Sequence, residues 1–114
     1  MSLRPVLVLL LLAGCSRGED ADLQYIGEAR SLAAEWALIN EQSNEGHLTT
    51  SYVKTMRRSL REQLHSTAKS LSQPQSRYGQ EIAWLESAPD GAPPAELRAH
   101  AGKLKQIEDS LESA

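Results

Sequence analysis

The chain has 114 residues, of which 40% are hydrophobic and 24% charged, with a formal net charge of −3. That length has room for one small domain with a modest core and excludes a second. A single cysteine excludes a disulfide framework, and the lack of Phe beside abundant Leu and Ala favours helices over a β-sandwich.

The first element is the segment from Met1 to Cys15. Arg4 supplies one positive charge, and Pro5 to Ala13 follow without any. A charged start, an apolar run and small residues make an export signal. A bilayer-spanning helix needs about 20 apolar residues, whereas Ser16-Arg17-Gly18-Glu19-Asp20 follows Cys15 at once. The end of the run, Leu12-Ala13-Gly14-Cys15, resembles the lipobox of bacterial lipoproteins. A plain cleaved signal with a chance cysteine is the alternative, but no clear A-x-A site is present.

The resemblance covers residues 1–15 and implies a processing route. Residues 1–14 form a removable signal peptide, Cys15 receives a diacylglycerol thioether, and the new amine is often acylated, for instance with palmitate. Residues 15–20 then tether a domain of residues 21–114 to the membrane. One acyl chain binds reversibly, and two or three hold firmly. Lipid on Cys15 is the only attached group expected, with no other cofactor. Ser16 leans toward the outer membrane facing the periplasm, where Asp at that position tends to retain a lipoprotein in the inner membrane.

Helical periodicity then predicts four helices. The first spans about 21–44, with Leu23, Ile26, Ala29, Ala33, Trp36 and Ala37 in one stripe widened by Tyr25, Leu32 and Ile39. Gly46 fits the C′ position. Thr49 reads as the N-cap of the second, with Leu48 and Val53 placed as a hydrophobic staple. Its stripe is Val53, Met56, Leu60, Leu64, Ala68 and Leu71, with Tyr52 beside it. A third helix over about 74–87 starts at Pro74 and carries Tyr78, Ile82 and Leu85. Ala88 to Ala92 form a turn. Pro93 and Pro94 open a fourth helix with Leu97, Ala101, Leu104, Ile107 and Leu111. Short joints imply an all-α, up-down antiparallel bundle of three to four helices.

Charge alternates along the mature chain. Residues 17–46 hold two basic and seven acidic side chains, residues 47–73 five and one, and residues 74–114 four and seven. Folding the first two helices about residues 46–48 places facing residues at numbers adding to roughly 96. That register aligns Glu41 with Lys54, Glu35 with Arg61, and Glu28 with Lys69, each pair contributing about 0.2–1 kcal/mol at a surface.

The same basic helix, with Lys54, Arg57, Arg58, Arg61 and Lys69, could instead meet anionic headgroups. Arg57 and Arg58 are the least matched cations and so the candidate contact residues. Trp84, offset from its stripe, is the third candidate, with packing at the core edge as the alternative. Export argues against nucleic acid as a partner. His47, His65 and His100 lie on separate segments without metal-ligand spacing, and His100 borders a core stripe. No nucleophile elbow or phosphate loop is present. Glu108 and Asp109, adjacent on a helix, are expected to point apart. Gly27, Gly79 and Gly102 interrupt helices, either at close crossings or on open surface.

These readings describe a lipid-anchored envelope module that works by contact with another envelope protein and is not an enzyme. A binding module for a small amphiphile or peptide, or an accessory subunit of an envelope enzyme, are the alternatives.

Overall fold

The computed structural model describes residues 18–114. The signal segment and Cys15 lie outside that range. The described residues form four helices: α1 (Glu19–Asn44), α2 (Thr50–Ser70), α3 (Arg77–Ser87) and α4 (Pro94–Glu112). They make a helical bundle in which α1 touches all three others, and α2, α3 and α4 touch in sequence.

Helix α1 begins two residues earlier than the periodicity predicts, inside the expected tether. Glu19, Asp20 and Asp22 occupy its first turn, where carboxylates interact favourably with the positive end of the helix dipole. At its other end Gly46 has φ 77°. His47 N–H donates to the Gln42 carbonyl at 2.9 Å, and Gly46 N–H to Ser43 at 3.0 Å. That pair of bonds is a Schellman closure, which needs a left-handed residue at C′.

Helix α2 starts as predicted. Thr49 is its N-cap, and its hydroxyl accepts from Tyr52 N–H at 3.2 Å. Leu48 is half-buried against the core that contains Val53. Helix α3 starts later than expected. Ser76, not Pro74, caps it, accepting from Gly79 N–H at 3.1 Å. Pro74 lies in the preceding loop, which crosses so close to α3 that a Cβ on Gly79 would stand 2.2 Å from the Pro74 carbonyl oxygen. Gly102 faces open space, and a Cβ on Gly27 would meet only the end of the Glu108 side chain. Pro94 takes the first turn of α4 and Pro93 its cap position.

The core follows the expected stripes: Ile26, Ala33 and Trp36 of α1, Leu60 and Leu64 of α2, Ile82 and Leu85 of α3, and Leu97 and Leu104 of α4 are sealed from solvent. Three polar residues, Asp22, Asn40 and Thr67, are buried with them.

The hairpin register is as expected, but its bonds are different. Thr67 Oγ1 donates to Glu28 at 3.2 Å, and Arg57 Nε to Asn40 at 3.0 Å. Those numbers add to 95 and 97, on either side of the expected 96. The three ion pairs are not formed. Glu41 accepts from Arg98 of α4 at 3.0 Å, and Arg61 turns to Asp90 at 2.6 Å. Lys54, Lys69 and Glu35 join no ion pair among the described residues. Helix α4, packed along α1, and the 88–92 turn offer better-placed partners than α2 does. Arg30 likewise reaches Glu108 of α4 at 2.9 Å.

Candidate functional site

The densest polar network lies where the end of α1, the start of α2 and the α3–α4 turn meet. Trp36 and Asn40 are one helical turn apart on α1, so both point inward. Trp36 Nε1 and Asn40 Nδ2 each donate to the Asp90 carbonyl at 3.0 Å, and Nδ2 also donates to the Ala92 carbonyl at 2.8 Å. From α2, Arg61 reaches the carbonyls of Glu86 and Ala88, which end α3, and the carboxylate of Asp90. Its guanidinium carbon lies 5.1 Å from the Trp36 ring centroid, within cation–π range. The exposed carbonyls at the end of a helix need donors, and here Arg61 supplies them.

Beside this network runs a groove of about 600 Å³ lined by Leu48, Val53, Lys54, Arg57, Arg58 and Arg61, among others. The four cations sit at i, i+3, i+4 and i+7 of α2, on the side that faces the groove. Lys54 and Arg58 are exposed, while Arg57 is half-buried. Asp90 answers Arg61 at the rim. A second groove, of about 640 Å³, runs between α1 and α2 and mixes Glu28, Arg30, Glu35 and Gln63. Its opposing charges favour no ligand of one sign.

The opposite end of the bundle carries its one fully enclosed carboxylate among the described residues. Asp22 accepts from Ser72 N–H at 2.8 Å, from Gln73 N–H at 3.1 Å and from the Tyr78 hydroxyl at 2.6 Å. Burial pushes its pKa up, but these donors, led by the Ser72 amide, more than offset that and hold it below the usual 3.8. Burial and the Asp22 bond push Tyr78 the other way, to about 12. This cluster ties the α2–α3 loop to the first turn of α1. No buried polar side-chain atom among the described residues lacks a partner.

The structure brings two of the three candidate contact residues together and separates the third. Arg57 and Arg58 line one groove. Trp84 is half-buried on α3, packed against the core and stacked on His100, with ring centroids 3.7 Å apart. It is an edge of the core, not an exposed anchor. His100 meets Glu81 through Nδ1, in the hydrogen-bonded role expected. Lys69 lies fifteen residues along α2 from Lys54, so the five cations of that helix do not form one patch; the rise of an α-helix separates those two by about 22 Å. Glu108 and Asp109 do not diverge as expected. With Glu112 they hold carboxylate oxygens within 4.8 Å of one another. Arg30 already engages Glu108.

Sequence reasoning missed the Asn40–Arg57 bond. The available signal was a polar residue four positions after Trp36, inside the buried stripe. No protein-family model matches the chain, and neither does any curated protein or solved structure.

Proposed function

We propose that this chain is a lipid-anchored protein of the bacterial envelope whose bundle works by contact, with the basic groove at the far end of α1 as its contact surface. The observation that carries this reading is axial. Cys15 precedes Gly18 by three residues, at most about 11 Å of extended chain, whereas Asn40 and the groove lie twenty-one residues beyond Glu19, about 30 Å along the helix. Lipid on Cys15 would hold the start of α1 against the bilayer and turn the groove away from it. The basic residues of the groove then address something other than the headgroups of the anchoring membrane.

Contact rather than chemistry is supported by how the buried polar groups are used. Asp22 and Asn40 are both engaged in holding loops. The test has two arms. Mass spectrometry of membrane-fraction protein should show a diacylglyceryl thioether on Cys15 after removal of residues 1–14. The acylated chain, extracted in detergent, should enrich one envelope protein that a Cys15→Ser control does not. An unmodified thiol on soluble material would reject the anchor.

A further inference from the structure

We propose that Arg57 is the centre of a preorganised oxyanion receptor, and that its occupant is an acidic peptide segment of the partner protein. That the occupant is a protein segment rests on the contact reading above; the receptor itself does not.

The orientation of Asn40 is fixed by its neighbours. Its Nδ2 faces two carbonyls, those of Asp90 and Ala92, so its Oδ1 must face Arg57. Asn40 is 1% exposed and cannot swing away. It takes Nε of Arg57 and nothing else of that guanidinium. The two terminal nitrogens of Arg57 bond to no described residue, and none is buried without a partner, so they open to the groove. A guanidinium held at Nε with its outer nitrogens open presents donors to a carboxylate or phosphate at little entropic cost.

The neighbouring charges point the same way. Residues 50–61 contain Lys54, Arg57, Arg58 and Arg61 and no acid, and the first turn of α2 has no acidic residue; against these four cations the groove lining sets two acids, Glu62 and the Asp90 that Arg61 already holds. Cations near the N-terminus oppose the helix dipole, and like charges four apart repel. Neither Arg57, Arg58 nor Lys54 has a carboxylate partner among the described residues. Beyond the bonds of Arg57 to Asn40 and of Arg61 to the end of α3, folding gains nothing from crowding these like charges, and an anion in the groove relieves it. Half-buried Leu48 adds apolar surface to the same groove, which suits a peptide that alternates acidic and apolar side chains better than a bare phosphate.

The probe is a short fluorescein-labelled peptide alternating glutamate and leucine, with a glutamine–leucine control, read by anisotropy against the full chain in non-ionic detergent. The glutamate peptide should bind and the control should not. Binding should weaken about tenfold in Arg57→Gln and a few-fold in Arg58→Gln or Lys54→Gln. The last two touch exposed side chains without an ion-pair partner and should not lower thermal stability. Binding that survives all three substitutions, or no binding at all, overturns the receptor. Vesicles of phosphatidylglycerol that bind through Arg58 while the peptide does not would overturn the peptide occupant. A chain that still captures its envelope protein after all three substitutions sinks the receptor and spares the contact reading. A chain that binds the peptide but captures nothing does the reverse.

Discussion

Replacing Asp22 with Asn tests the account of the enclosed carboxylate most directly, because the substitution preserves shape and changes only donors and acceptors. Both carboxylate oxygens are occupied by donors: Ser72 N–H on one, Gln73 N–H and the Tyr78 hydroxyl on the other. An amide keeps one oxygen and turns an NH₂ toward a donor. If the oxygen stays with Ser72, the Tyr78 hydroxyl can rotate and accept, but the Gln73 amide faces another N–H. One buried donor left unsatisfied costs about 1–3 kcal/mol, and each charge-assisted bond lost or weakened adds to this. The loss should be about 2–4 kcal/mol, against a stability of about 5–15 kcal/mol for a domain. At about 4–8 °C per kcal/mol for this size, Tm should fall by roughly 8–32 °C. Far-UV circular dichroism during heating measures it.

The pH dependence separates charge from packing. The folded-state pKa of Asp22 lies below 3.8, so the native state favours the ionised form. Its contribution is complete above the unfolded value and is lost as pH falls through the folded value. The gap in Tm between wild type and Asp22→Asn should therefore be constant near neutrality and narrow below about pH 4. Tyr78 behaves oppositely. Raised from 10.0 to about 12, it contributes stability that is complete below pH 10 and lost as pH climbs toward 12. A gap that stays the same from pH 7 to pH 3, or a variant as stable as wild type, would refute the reasoning.

Two further predictions use the same unfolding assay. Gly79→Ala puts a methyl 2.2 Å from the Pro74 carbonyl and should cost about 2–3 kcal/mol by forcing the loop away, whereas Gly102→Ala, with nothing within 4 Å, should stabilise by about 0.5–1 kcal/mol. A double-mutant cycle should find coupling of about 0.5–1 kcal/mol between Arg61 and Asp90, which is 63% exposed and so screened, and none between Arg61 and Glu35.

The helices were legible because each carries its own instructions. Thr49 and Gly46 mark ends through bonds made within a few residues, and the stripes of α2 and α4 repeat at the helical period. Register was legible from the hairpin turn at residues 46–48, yet every charge partner predicted from it was wrong. A facing position on a helical hairpin specifies level, not reach, and a long cation goes to whichever carboxylate or carbonyl lies closest in three dimensions. Ser76 displaced Pro74 as the start of α3 for a similar reason: Asp22, fifty residues away, captures the amides of Ser72 and Gln73 and holds that loop out of the helix. The candidate site was half legible. Arg57 and Arg58 stood out as unmatched cations, but nothing along the chain showed that Asn40 would grip one of them.

By itself the order of residues determined the helical class, the helix ends set by local caps, the antiparallel pairing of the first two helices and the identity of the core stripes. All of these depend on contacts within a turn or across one short joint. The tertiary structure alone decided which polar side chains are enclosed, which cations are spent on carbonyls and which remain open to a groove. Those outcomes depend on groups from three helices and a turn converging at one place. The cost of an unpaired polar atom is set by that convergence, not by neighbours in the chain.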